Sequence, residues 1–156
     1  MYEKILLAFD GSKDSIRTAR KVIELQKKWN SKVVAFYSIE HHLIDMFVGF
    51  QLPIGPGFYT NVPRSYKDIQ IDYKIEGEKI LDYVKKMFNN EGIPLETRLI
   101  KDEDPEDYIE RIVEEENFDL VALGCRGNHS KLKRIFNGSV AQKVLNDAPC
   151  NVLIVR

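Results

Sequence analysis

Ile5-Leu6-Leu7-Ala8-Phe9-Asp10-Gly11-Ser12 decides how this chain folds. Five apolar side chains in a row are far short of the roughly 20 residues that cross a bilayer. They suit a strand covered on both faces, which runs from Glu3 to Phe9. Asp10-Gly11-Ser12 breaks the run. A helix is expected next, from Lys13 to Trp29, because Ile16, Ala19, Val22, Ile23 and Trp29 recur near helical spacing. Asn30-Ser31 ends it. Lys32 to Ile39, with Val33, Val34, Ala35, Phe36 and Tyr37, reads as a second buried strand.

The same alternation continues along the chain. A helix is expected from Ser65 to Asn89 on Tyr66, Ile69, Tyr73, Ile80, Val84 and Phe88, with Leu81 and Met87 beside them. Gly77 falls in that stripe and would let a neighbour approach closely. Asn90-Glu91-Gly92 stops the helix, and Leu95 to Ile100 alternates as a strand at a sheet edge would. Asp104-Pro105-Glu106-Asp107 is a helix start, with an N-cap, Pro at the first helical position and acids in the first turn. That helix runs to about Asn117 on Tyr108, Ile109, Ile112 and Val113, with Glu114-Glu115-Glu116 as a solvated face. Asp119 to Gly124 is the fourth strand. Gly138 to Asn146 is a helix burying Val140, Val144 and Leu145, and Asn151 to Val155 is the last strand.

Strands alternating with helices predict one α/β domain over residues 1–156, with a parallel sheet and helices on both faces. Right-handed crossovers favour a doubly wound five-stranded sheet of order 3-2-1-4-5. Strands one and four then meet at the switch point, and ligands bind such sheets at the carboxyl ends of those strands. Here those ends are Phe9-Asp10-Gly11-Ser12 and Leu123-Gly124-Cys125-Arg126-Gly127.

Composition narrows the class. The 156 residues carry 23 basic and 24 acidic side chains, a net charge of −1, which argues against nucleic acid or an anionic membrane as partner. The start of the chain lacks a signal-peptide pattern, so the cytoplasm is the expected compartment. Cys125 and Cys150 lack the spacing of a zinc site and fall at opposite ends of neighbouring strands, so two reduced thiols are expected. His41-His42 has no further His or Cys nearby, so no metal site is read. The stretch from Glu40 to Pro63 departs from the pattern. It holds three Pro and three Gly together with Leu43, Ile44, Met46, Phe47, Val48 and Phe50. It reads as a long functional loop, with a short helix around His41 to Phe50, whose apolar groups want a partner surface.

Four features converge after the fourth strand. Gly124 and Gly127 let backbone N–H groups approach a ligand, and Gly138-Ser139 opens a helix whose N-terminus attracts anions. Arg126, Lys131, Lys133 and Arg134 make the intervening loop basic. Phosphate suits this arrangement. The same residues also fit a turn, an ordinary helix start and a solvated basic face. Asp10 and Ser12 each fit as caps of the first helix.

The segments Ile5 to Ser12, Leu123 to Gly127, Leu132 to Ala141 and Ala148 to Val155 resemble the universal stress protein family, and the resemblance spans essentially the whole chain. It implies a regulatory protein that binds an adenine nucleotide, either AMP or ATP with magnesium, in the stress response. Gly124, Gly127, Gly138 and Ser139 would then form the phosphate cradle, with Val140 adding a backbone donor. Asp10 would meet the ribose, Leu123 would lie beside the base, and the strand backbone at Ser38 would read the adenine edge. Ten residues separate Gly127 from Gly138, where the family pattern Gly-x2-Gly-x9-Gly-[Ser/Thr] has nine. The resemblance also implies a homodimer through Val152 to Val155, which would pair an otherwise open apolar edge. No residue set supplies a general base, so no catalytic residues are assigned and at most slow hydrolysis is expected. One alternative is a protein-interaction module acting through residues 40–63 without nucleotide. Another is substrate adenylation, because Asp10-Gly11-Ser12-Lys13-Asp14-Ser15 looks like a shortened Ser-Gly-Gly-x-Asp-Ser loop.

Overall fold

A computed structural model describes residues 1–39, 50–62, 66–101, 103–126 and 139–156. In chain order the elements are β1 (Lys4–Ala8), α1 (Lys13–Trp29), β2 (Lys32–Ile39), β3 (Phe50–Gly55) and β4 (Phe58–Val62). They continue with α2 (Tyr66–Asn89), β5 (Glu96–Lys101), α3 (Pro105–Glu116), β6 (Leu120–Gly124), α4 (Ser139–Asp147) and β7 (Asn151–Val155). The main sheet has the order β5-β2-β1-β6-β7, and each neighbouring pair is parallel. Counted among these strands alone, that is 3-2-1-4-5, the order expected of a doubly wound sheet.

Continuous apolar strands bury both faces. Ile5, Leu7 and Phe9 join Val33, Ala35 and Tyr37 under α1 and α2, against Ala19, Val22, Leu81, Val84 and Phe88. Leu6, Val34 and Phe36 point the other way, toward Tyr108, Ile109, Ile112, Ala141 and Val144 of α3 and α4. Side chains on a strand alternate between faces, so each strand feeds two cores at once. Gly77 brings α2 flush onto the sheet, since an added β-carbon there would lie 2.6 Å from Leu99 Cδ1 and 3.0 Å from Tyr37 Cδ1. The sequence stripe through Gly77 anticipated this close approach.

Several local expectations change. The stretch expected to be a long loop contains a two-stranded antiparallel hairpin, β3 with β4, turned by Pro56-Gly57. Gly57 has a φ of 79°, the left-handed value that a Pro-Gly turn needs at its second central position. The short helix expected around His41 to Phe50 falls mostly in residues 40–49, outside the described residues, and Phe50 itself begins β3. Leu145, expected in the core, is 57% exposed, because α4 turns only Ala141 and Val144 fully inward. Asp104 stands at the N-cap of α3 with Pro105 behind it, yet its side chain makes no capping bond. Glu116 is not simply solvated: it takes Arg98 Nη1 at 2.5 Å and Lys4 Nζ at 2.8 Å. Cys125 and Cys150 are both free thiols, as expected, at opposite ends of the paired strands β6 and β7. Among the described residues no helix is long and apolar enough to cross a membrane.

Candidate functional site

The carboxyl end of the sheet opens where β1 stops short of its neighbour. Ala8 is the last β1 residue in register with β2, opposite Phe36. The next backbone bond runs from Phe9 N–H to Phe36 C=O, and β2 then continues through Ser38 and Ile39. The C=O of Phe36 faces β1, and alternate residues of a strand aim their backbone groups the same way. Ser38 therefore directs its N–H and C=O past the end of β1, into the crevice. One donor and one acceptor on a rigid strand suit the polar edge of a flat ring.

Asp10, Gly11 and Ser12 lead from the end of β1 into α1 at this end of the sheet. Gly11 has a φ of 74°, which a side chain would strain, so the turn from β1 into α1 depends on it. Ser12 is the N-cap of α1: its Oγ accepts the N–H of Ser15 at 3.1 Å. Asp10 is not the cap. Its Oδ1 accepts the N–H of Ser12 at 3.0 Å, which holds the half-buried carboxylate at the end of β1.

Gly124 ends β6 beside β1. A β-carbon on it would lie 2.8 Å from Ser15 N, 2.9 Å from Asp14 C and 3.0 Å from Asp14 Cβ. The space saved by this glycine is thus filled by the first turn of α1. Asp14 itself is buried there, with Oδ1 3.2 Å from Arg17 Nη1 and its backbone carbonyl accepting Thr18 Oγ1. Leu123 is 3% exposed and packs in the α3–α4 layer. Val140 packs, half-buried, against the same layer just after Ser139 opens α4. Gly127 and Gly138 lie outside the described residues, as do Lys131, Lys133, Arg134 and all three histidines. The structure thus brings Asp10, Ser38, Leu123 and Gly124 to one end of the sheet. Among the described residues no group of three or more His, Cys, Asp or Glu side chains is gathered as metal ligands would be.

One feature of this end was not read in the sequence. Ser38 Oγ donates to the carbonyl of Glu103 at 2.6 Å, tying β2 to the segment between β5 and α3. The Glu103 carboxylate accepts Arg111 Nε at 3.0 Å and Arg111 Nη2 at 2.8 Å. The guanidinium holds this carboxyl below its ordinary range. Glu103 precedes the N-cap of α3, so no helical i,i+3 or i,i+4 spacing announces its pairing with Arg111.

A five-stranded, doubly wound parallel sheet with its switch point between β1 and β6 defines the class as α/β, one in which ligands generally bind at the carboxyl ends of the strands. The chain belongs to the universal stress protein family, whose model matches residues 1–156. Universal stress protein MJ0531 of Methanocaldococcus jannaschii is 32% identical over 156 residues, which cover 100% of this chain and 83% of that protein. Universal stress protein YxiE of Bacillus subtilis is 32% identical over 160 residues, covering 100% of each. Among solved structures, hypothetical protein MJ0577 shares the fold with a TM-score of 0.77 at 22% identity, covering 99% of this chain and 96% of that one. The universal stress protein from Archaeoglobus fulgidus in complex with dAMP has a TM-score of 0.66 at 22% identity, with 99% and 98% coverage. A universal stress protein family protein from Arabidopsis thaliana with AMP bound has a TM-score of 0.61 at 17% identity, with 98% and 90% coverage.

Proposed function

We propose that this chain binds an adenine nucleotide, AMP or ATP, in the crevice between β1, β2 and β6, and acts as a cytoplasmic regulatory protein in stress response rather than as a catalyst. The observation that carries the reading is the extension of β2 beyond β1, with the backbone of Ser38 aimed into the gap. The base meets Ser38, with Leu123 on its other flank, and the ribose meets Asp10. The phosphates run toward Gly127, Gly138, Ser139 and Val140 at the start of α4, with Gly124 closing the floor. ATP enters with its magnesium. Solved family members carrying AMP and dAMP support the choice of ligand.

Two copies pair through β7. Val155 C=O accepts the N–H of Cys125, so Val155 faces β6, and by alternation Val152 and Ile154 turn their backbone groups to the open edge. A second β7 across a two-fold axis satisfies those groups.

Thermal denaturation with AMP, ADP, ATP and cAMP tests the reading. A ligand at about 100 times its Kd adds about 2.7 kcal/mol of stability. That raises Tm by roughly 5–10 °C for a domain of this size. No shift with any of the four at millimolar concentration, together with no nucleotide in a mass-spectrometric search of the purified protein, would overturn it.

A further inference from the structure

We propose that the Ser38 hydroxyl is a positioning group that fixes Glu103 as a rigid wall at the base end of the crevice; the inference rests on the nucleotide reading above. Ser38 divides its polar groups between two directions. Its backbone faces the gap beyond β1, and its side chain is on the opposite business, donating to Glu103 C=O at 2.6 Å. Alternation along β2 puts that side chain on the same face as Phe36, the face covered by α3.

The contacts around Glu103 close on themselves. Phe36 packs against the ring of Tyr108 of α3 at a tilt of 51°, with centroids 4.7 Å apart. Arg111 lies over the Tyr108 ring, its Cζ 5.5 Å from the centroid. The Arg111 fork holds the Glu103 carboxylate at 2.8 Å and 3.0 Å. The Glu103 carbonyl returns to Ser38, two residues beyond the starting Phe36. A ring of contacts that begins and ends on one strand sets the position of Glu103 relative to that strand.

Strand order shows why this position matters. Counting outward from the phosphate side, the strand ends run β6, β1, β2, β5. Neighbouring strands are about 4.8 Å apart, so a ligand reaching from β6 to β2 spans roughly 10 Å, about one nucleotide. The next structure beyond its base is the segment leaving β5, which carries Glu103. Ser38 is 8% exposed, so its hydroxyl is committed to this bond rather than to solvent.

The test compares the unsubstituted protein with Ser38→Ala, Ser38→Thr and Arg111→Gln. Calorimetric titration with AMP and with adenosine is read beside amide exchange at Glu103 and Asp104. Ser38→Ala is expected to weaken both ligands by the same factor, roughly three- to tenfold, and to accelerate exchange at Glu103 and Asp104. Ser38→Thr keeps the hydroxyl and restores both readouts, while Arg111→Gln reproduces a smaller part of the loss. Unchanged affinity in Ser38→Ala, or unchanged exchange at Glu103, overturns the inference while leaving the nucleotide reading intact. No binding of either ligand by the unsubstituted protein overturns both.

Discussion

A β-carbon added at Gly124 would meet backbone atoms of Ser15 and Asp14 at 2.8 Å and 2.9 Å, and backbone at a helix start cannot step aside. Gly124→Ala is therefore expected to cost about 1–3 kcal/mol through overpacking, seen as a lower urea midpoint with or without ligand. Gly77→Ala makes a useful contrast. Its nearest neighbour is the tip of Leu99, which can rotate, and alanine gains about 1 kcal/mol over glycine inside a helix. That variant is expected within about 1 kcal/mol of the unsubstituted protein in the same urea titration. Ser12→Ala removes the bond to Ser15 N–H and is expected to cost about 1 kcal/mol. The sequence placed Gly124 correctly at the end of β6, but it cannot show what a missing side chain makes room for. Asp10 and Ser12 were equal candidates for the cap until the bond directions separated them. Ser38 and Glu103 are 65 residues apart, and no local pattern announces a contact that the sheet order alone creates.

At the scale of elements, β1, β5 and α3 are joined by charge. Glu116 at the end of α3 takes Arg98 of β5 and Lys4 of β1. Its carboxyl is held at about 2, below the ordinary 4.5, first by hydrogen bonding to Arg98 and then to Lys4. The folded protein thus binds this proton more weakly than the unfolded chain. Stability from the cluster is complete above the unfolded value near 4.5 and is lost as pH falls through about 2. Glu116→Gln is expected to flatten the acid limb of a stability–pH profile measured by urea unfolding. At neutral pH it is expected to cost roughly 1 kcal/mol, because the side chain is partly screened by solvent. The main elements were legible because each is long, apolar and cleanly punctuated, as in Ile5 to Phe9 or Asp104-Pro105. The hairpin was not read, although Pro56-Gly57 between Leu52-Pro53-Ile54 and Phe58-Tyr59 is a turn between two apolar runs. Three prolines and three glycines between Glu40 and Pro63 outweighed the alternation.

For the whole molecule, the expected assembly is a two-fold dimer joined at β7. Proline at position 152 lacks an N–H, and the N–H lost there is one that points to the open edge rather than to β6. Val152→Pro is therefore expected to leave a folded monomer where light scattering of the unsubstituted protein reports a dimer. A monomeric mass for the unsubstituted protein would remove the edge-pairing reading. The sheet as a whole also has two unlike ends. At the amino ends of the strands Asp119 accepts the N–H groups of Glu3 and Lys4, Ser31 Oγ donates to Tyr2 C=O, and Asn151 reaches back to Asp119 C=O. With the Glu116 cluster, these bonds lace together the chain segments at the pole away from the crevice. Mutational tolerance should follow this polarity. Descendants of this scaffold, natural or made in a library, can rewrite the turns at the carboxyl pole and acquire new ligands while the laced pole keeps the chain folded.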